Sequence, residues 1–148
     1  MEFRNYRVKS PVKSFRDLEV YQKTIQLSDE ITNLPFLKAG FDKDNEEVKS
    51  IAEKIPKLIA EAYGDKFDSK ELANKKLTEA VTLITNAVTK IDLFRERFRE
   101  DKSSKEVLDN LLSRYQTQKI KVLNLRKAWD RVFTSYPQNE PGKTDWRK

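Results

Sequence analysis

The chain has 148 residues, of which 36% are charged and 37% hydrophobic, with only three Gly and five Pro. This composition is typical of one helical domain and argues against a turn-rich β structure. Cys and His are both absent, which excludes a disulfide framework, thiolate chemistry and the Glu-x-x-His motif of ferritin-like di-iron bundles. No glycine-rich phosphate loop is present, and the usual general base is missing. The sequence therefore predicts a protein that is not an enzyme and that uses no metal or cofactor.

The net charge of +6 is concentrated at the two ends of the chain. Residues 1–13 carry +3 and residues 119–148 carry +5, whereas the 105 residues between them carry −2. Such an uneven distribution is typical of a protein with an anionic partner, most often nucleic acid.

The apolar runs of the chain bear on where the protein is expected to act. The first residues, MEFRNYRVKSPVK, lack the apolar stretch of a signal peptide. No run approaches the roughly 18 apolar residues of a membrane span. A cytoplasmic protein without a membrane partner is therefore expected.

An arm and a tail are predicted to flank a single helical region. Pro11 disfavours helix before it, and from Ser135 onward the chain turns to Pro, Asn, Gly and Lys. The predicted organisation is a basic N-terminal arm at 1–13, a helical bundle at 14–134 and a flexible basic C-terminal tail at 135–148.

Four helices, A to D, are predicted within the bundle. Each follows a residue whose side chain can accept a hydrogen bond from the first helical turn, and these caps are Ser14, Asp44, Asp68 and Ser103. Helix A is predicted over about 15–33, helix B ends near Tyr63 with Gly64 as its stop, and helix C ends near Arg99. The short connection between helices C and D requires an antiparallel hairpin.

Apolar residues recur at three- and four-residue spacings, as in helices that pack against each other. The residues of helix A expected to face inward are Leu18, Tyr21, Ile25 and Ile31. Helix C has a continuous seam of Leu77, Ala80, Ile84, Ala87, Ile91, Phe94 and Phe98. The seam of helix D is Leu108, Leu111, Tyr115, Gln118, Val122, Leu125, Trp129 and Val132. The predicted fold class is all-α, an antiparallel up-down-up-down four-helix bundle.

Pro56 interrupts the seam of helix B, which consists of Val48, Ile51, Ile55, Leu58 and Ala62. Proline has no N–H to donate and crowds the carbonyl four residues earlier, which costs roughly 3 kcal/mol inside an ordinary helix. Helix B is therefore predicted to be kinked at Pro56. The bend either shapes a binding or assembly surface or only fits the helix to its neighbours. Glu61 is likewise either functional or part of a structural ion pair.

Two segments carry a resemblance to a known family. They are FRDLEVYQK at 15–23 and IPKLIAEA at 55–62. Together they resemble the four-helix-bundle proteins encoded in intervening sequences of bacterial 23S rRNA genes. That superfamily also contains the accessory variability proteins of diversity-generating retroelements. The family usually reads Ser-Ile-Pro-Ser-Asn-Ile-Ala-Glu-Gly, then a Gly-Arg and a Ser-x-x-Glu. The fitting residues are Ile55, Pro56, Ile59, Ala60, Glu61, Ser69 and the acidic residue near it, Glu71. The chain departs from the family at Lys54, Lys57, Leu58, Ala62, Val81 and Thr82.

The resemblance implies a four-helix protomer that assembles into a closed homo-oligomer, typically a pentamer. It also implies an accessory role, which in a retroelement would be performed beside a reverse transcriptase. Apolar residues outside the narrow seams favour assembly, because neighbouring subunits would cover them. These residues are Val20, Leu27, Ile59, Leu83, Leu112, Ile120 and Phe133.

Helix D is the predicted nucleic-acid surface, with RNA as the expected partner. Its cations are Arg114, Lys119, Lys121, Arg126, Lys127 and Arg131. Clustered Lys and Arg side chains neutralise phosphates and release counterions. Lys119, Arg126 and Lys127 are expected to share one outward sector of the helix.

Three other interpretations stay open at this stage. The basic residues of helix D can form an ordinary solvated face. The termini can bind instead, through bases stacked on Phe3, Tyr6, Tyr136 or Trp146. The protein can also be an interaction scaffold whose charge has no direct role in nucleic-acid binding.

Overall fold

The computed structural model describes residues 14–34 and 43–135 and consists of helices. A 3₁₀ turn at Phe15–Asp17 is followed by α1 at Glu19–Thr32, α2 at Lys43–Asp65, α3 at Lys70–Arg97 and α4 at Lys102–Ser135. The described residues contain no strand, which confirms the all-α prediction. The predicted arm at 1–13 and the tail beyond Ser135 lie outside the described residues.

The helices pack as neighbours in chain order, with α1 also contacting α4. Side-chain pairs across α3 and α4 join the beginning of one helix to the end of the other: Asn74 with Asp130, Thr78 with Arg126, and Arg95 with Asp109. Pairs between α2 and α3 and between α1 and α4 follow the same pattern. These neighbouring helices therefore run in opposite directions.

The core follows the predicted seams of α3 and α4 closely. In α2 the prediction is right for Val48, Ile55 and Ala62, but Ile51 and Leu58 are half-buried and Ala52 and Ile59 are buried instead. In α3, the six seam residues from Leu77 to Phe94 are buried, and Phe98 packs against the core. In α4, Leu108, Leu111, Val122 and Trp129 are buried. The helix α2 continues through Pro56, whose side chain is buried. The kink at this proline stays a prediction.

The prediction for the buried face of α1 is wrong in part. Leu18 and Ile31 are buried, but Tyr21 is half-buried and Ile25 is 36% exposed. The buried residues within α1 are Val20, Thr24, Leu27, Ser28 and Ile31. Thr24 can be buried because its hydroxyl donates a 2.7 Å hydrogen bond to the carbonyl of Val20. The inward face therefore includes two polar positions that a count of large apolar residues passes over.

The predicted cap of helix A is present, but it encloses a different element. Ser14 and Asp17 form a reciprocal capping box around the 3₁₀ turn. Leu18 then has an extended backbone, so that α1 begins at Glu19.

Two other predicted caps are each displaced along the chain. The cap of α3 is Ser69 rather than Asp68, since the Ser69 hydroxyl accepts a 3.1 Å hydrogen bond from the Leu72 N–H. At the start of α4, the Asp101 carboxylate accepts hydrogen bonds from the backbone and hydroxyl of Ser104. Ser103, the predicted cap, already lies within α4.

Asp44 is not a cap, because it lies inside α2. Its carboxylate is 2.8 Å from the Lys90 ammonium and 2.5 Å from the Arg97 guanidinium. Hydrogen bonds from these two cations hold the pKa of Asp44 below its usual range. Asp44 therefore joins α2 to the end of α3.

Gly64, the predicted stop of helix B, also lies inside α2, which ends at Asp65.

Replacing the observed cap of α3 should destabilise the bundle. Ser69→Ala removes the acceptor of the Leu72 N–H and is expected to lower the free energy of unfolding by about 1 kcal/mol. Asp68→Ala is the matched control and should change it by less than about 0.5 kcal/mol. Urea unfolding followed by circular dichroism measures both, and a larger loss in Asp68→Ala would contradict the assigned cap.

Candidate nucleic-acid interface

The central part of α4 contains cations and no carboxylates. Between Asp109 and Asp130, residues 110–129 include five cations and no Asp or Glu. This stretch of helix is about 30 Å long. Its apolar seam is buried against the other helices, which leaves its polar positions at the two flanks and on the outer side. The stretch is therefore a long surface that contains no carboxylate to neutralise its own cations.

Two of the six predicted cations are neutralised by α1. The Arg114 guanidinium makes two hydrogen bonds to the Glu30 carboxylate, at 2.6 and 2.5 Å. The Lys121 ammonium lies 2.8 Å from the Glu19 carboxylate. The hydrogen bonds that Arg114 donates to the Glu30 carboxylate raise the pKa of the guanidinium. The α1 flank of α4 is thus a row of ion pairs.

The other four predicted cations form no ion pair with a described residue: Lys119, Arg126, Lys127 and Arg131. At about 100° of rotation per residue, these four lie within an arc of about 140° on α4. Arg126 lies on the flank toward α3, where it donates a 2.8 Å hydrogen bond to the Thr78 hydroxyl. Lys119, seven residues earlier, shares that flank. Lys127 and Arg131 are exposed, whereas Lys119 and Arg126 are half-buried.

The structure therefore divides the predicted set into two groups. Arg114 and Lys121 face the carboxylates of α1. We call the remaining group, Lys119, Arg126, Lys127 and Arg131, the unpaired cation surface. This surface extends from the α3 flank to the outer side of α4. Its arc is therefore wider than the single outward sector that the sequence predicts for Lys119, Arg126 and Lys127.

A polar cleft lies between α1 and α4, beside the ion pairs. Its volume is about 490 Å³, and Lys23, Glu30, Arg114, Gln118 and Lys121 are among its lining residues. Gln118 is 6% exposed, and its side-chain carbonyl oxygen has no hydrogen-bond partner among the described residues. Glu30 neutralises Arg114, and Glu19 neutralises Lys121. The cleft can therefore bind a ligand through hydrogen bonds more than through attraction between charges.

The buried hydroxyl of Tyr115 lies in the same part of α4 as Gln118. It too has no hydrogen-bond partner among the described residues, and burial raises the pKa of this phenol. Tyr115 therefore stays neutral and acts as a core residue.

The two signature residues lie away from α4 on helix α2. Pro56 is buried in the core. Glu61 lies 3.4 Å from the Lys76 ammonium, which is also 2.8 Å from Asp65. This shared cation joins α2 to α3, an arrangement that suits the structural interpretation of Glu61. The described residues contain no acidic cluster that could hold a metal ion.

Sequence reasoning missed an aromatic cluster at the α2–α3 turn. The Lys66 ammonium lies 4.9, 5.0 and 5.1 Å from the ring centroids of Tyr63, Phe67 and Trp129. The spacing of Tyr63 and Phe67 was the available signal, but Trp129 comes from α4 and cannot be placed by local spacing. The stacking aromatics that the sequence suggested, Phe3, Tyr6, Tyr136 and Trp146, lie outside the described residues.

None of the described helices is both long enough and apolar enough to cross a membrane. No family model, curated protein or solved structure matches the chain. The resemblance to the proteins of 23S rRNA intervening sequences therefore stays a prediction.

Removing the side-chain carbonyl of Gln118 should stabilise the protein. Gln118→Met keeps the length of the side chain but removes a buried acceptor that has no hydrogen-bond partner among the described residues, and should raise the free energy of unfolding by about 1 kcal/mol. Gln116→Met, at an exposed position of the same helix, is the control and should change it by less than about 0.5 kcal/mol. A marked destabilisation by Gln118→Met in urea unfolding would show that the amide is needed by the fold.

Proposed function

We propose that the protein is a non-enzymatic RNA-binding accessory protein that acts as a homo-oligomer in the cytoplasm. The unpaired cation surface of α4 holds RNA phosphates. One observation carries this proposal: four cations of α4 have no ion-pair partner among the described residues, and residues 110–129 contain no carboxylate that would repel phosphate.

The physical basis of binding is the release of counterions. Each phosphate that a Lys or Arg neutralises frees condensed cations, which makes the affinity depend on salt. Phosphate contacts of this kind position the nucleic acid without reading its sequence. The resemblance to proteins encoded within rRNA genes and retroelements favours RNA over DNA, and in a retroelement the protein partner would be a reverse transcriptase.

The segments before and after the bundle carry further positive charge. Since α1 and α4 run antiparallel, Ser14 and Ser135 lie at the same end of the bundle. Residues 1–13 carry a charge of +3, and the chain continues with this charge from that end.

Neutralising the unpaired cation surface should weaken RNA binding. In a variant carrying Lys119→Gln, Arg126→Gln, Lys127→Gln and Arg131→Gln, each lost phosphate contact lowers the salt slope of the affinity by roughly one unit. Fluorescence anisotropy of a labelled RNA over a salt series measures the affinity and the slope. The fold should survive, because these side chains lie outside the core.

The matched control is a double variant, Arg114→Gln with Lys121→Gln. It removes two cations of the same helix, but these already have carboxylate partners, so the salt slope should change little. Chains lacking residues 1–13 or 136–148 should bind somewhat more weakly than the parent. If the fourfold variant binds like the parent and the truncated chains do not bind, the termini are the site and the assignment to α4 is wrong.

A second candidate function is a protein-interaction scaffold, and one side chain favours it. Ile120 is 60% exposed and lies on the outer side of α4, between the cations. Contact with a partner protein would cover this apolar side chain. A scaffold predicts no salt-dependent affinity of the parent for RNA.

The homo-oligomer rests on the family resemblance more than on surplus apolar residues. Of the residues expected to need cover from a neighbour, Val20, Leu27 and Ile59 are buried within the protomer, and Leu83 and Leu112 are partly buried. Ile120 is still exposed, and Phe133 lies outside the described side chains.

The oligomeric state has a direct measurement. Light scattering at micromolar concentration should give about five times the 17.4 kDa mass of one chain. A mass near 17.4 kDa would contradict the closed oligomer without bearing on RNA binding by a single protomer.

A further inference from the structure

The turn between α2 and α3 presents an aromatic ring to solvent beside a cation. Phe67 is 69% exposed, the most exposed of the large hydrophobic residues that the structure describes. Its ring meets Tyr63 edge-on, with centroids 5.4 Å apart. This contact covers only part of the Phe67 side chain and leaves most of it accessible to solvent.

Lys66 is held in place beside this ring without a carboxylate. Its ammonium lies about equally far from Tyr63, Phe67 and Trp129, at 4.9–5.1 Å. Lys66 forms no ion pair with a described residue. The attraction between a cation and aromatic faces keeps the ammonium close to the rings. No carboxylate of a described residue accepts a hydrogen bond from it. The turn thus combines a flat apolar surface with an unneutralised positive charge.

We propose that Phe67 stacks on one unpaired base of the bound RNA, and that Lys66 contacts the phosphate beside that base. This inference rests on the RNA binding proposed above and identifies its substrate class as single-stranded RNA. A nucleotide combines an aromatic face with an adjoining negative charge, which matches the two neighbouring groups of the turn.

The turn lies close enough to α4 for one strand to reach both. Lys66 contacts Trp129, and the Lys70 ammonium lies 3.9 Å from the carboxylate of Asp130. Arg126 lies one turn before Asp130 on the same flank of α4, which faces α3. A strand held by Arg126 can therefore continue toward Phe67.

Stacking gives this surface a preference that phosphate contacts alone cannot give. Cations on a helix bind the backbone of paired and unpaired RNA alike. A base inside a duplex has both faces covered by its neighbours, so only an unpaired base can stack on a protein ring. Loss of the ring should therefore affect single strands selectively.

The test compares two RNA probes on the full chain at one salt concentration. The probes are a labelled single strand of twelve uridines and a labelled RNA duplex of twelve base pairs. Phe67→Ala should weaken binding of the single strand about tenfold, since stacking of one base accounts for a factor of this order. Binding of the duplex should change by less than about twofold.

Two further variants control for unspecific effects. Leu93→Ala removes another exposed apolar side chain, 47% exposed and near the opposite end of α3, and should leave both affinities unchanged. Phe67→Trp keeps a ring at the position and should retain single-strand affinity, with tryptophan fluorescence quenched by the single strand.

The outcomes separate this inference from the proposed function. If the parent binds RNA with a salt-dependent affinity but Phe67→Ala binds both probes like the parent, the stacking site is wrong and RNA binding by α4 stands. An equal loss for both probes also overturns it, as does a lowered oligomeric mass of Phe67→Ala, which would identify the ring as a contact between copies. If the parent binds neither probe, the proposed function and the stacking site fail together.

Discussion

Two ion pairs between α1 and α4 determine how the charge of α4 is distributed. Glu30 neutralises Arg114 through two hydrogen bonds, and Glu19 neutralises Lys121. Residues 110–129 have no carboxylate of their own, so the charge on each side of this stretch depends on the helix packed there. On the α3 side, Thr78 provides a hydroxyl to Arg126 and no opposing charge. The unpaired cation surface is the result of this asymmetry.

The inward face of α1 is more polar than the facing seams of α2 and α3. The facing seams of α2 and α3 bury mainly Ile, Leu, Val and Ala side chains. The short helix α1 buries Thr24 and Ser28 among its inward residues and lines the cleft above Gln118. Half-exposed ion pairs contribute little to stability, so the role of Glu19 and Glu30 lies more in setting charge than in holding α1.

The sequence predicts those features that depend on local spacing. The seam of α3 is unbroken from Leu77 to Phe94 and was placed correctly. The prediction for the inward face of α1 is wrong in part, because it rests on large apolar residues. Thr24 is polar, but it can be buried because its hydroxyl donates a hydrogen bond to a carbonyl of its own helix. Ser69 and Asp68 are adjacent and both can accept a hydrogen bond, so spacing alone cannot decide between them.

The sequence predicts which cations α4 contains, but it does not predict which of them form ion pairs. The six cations of α4 are evident from the sequence, but Arg114 meets Glu30, a residue 84 positions earlier. The cluster around Lys66 likewise needs Trp129, which only the packing of α4 against the α2–α3 turn brings close. A local sequence pattern cannot predict contacts between residues so far apart in the chain.

Releasing the two paired cations tests most directly whether α1 controls the charge of α4. In a double variant, Glu19→Gln with Glu30→Gln, the carboxylates of both pairs are replaced by amides of similar size, so that Lys121 and Arg114 lose their neutralising charges. If intramolecular pairing keeps these cations from RNA, the variant should bind a labelled single-stranded RNA more tightly than the parent at low salt. Its affinity should also fall more steeply with salt, by roughly one unit of slope per released cation that reaches a phosphate. An affinity and a salt slope equal to those of the parent would contradict the account.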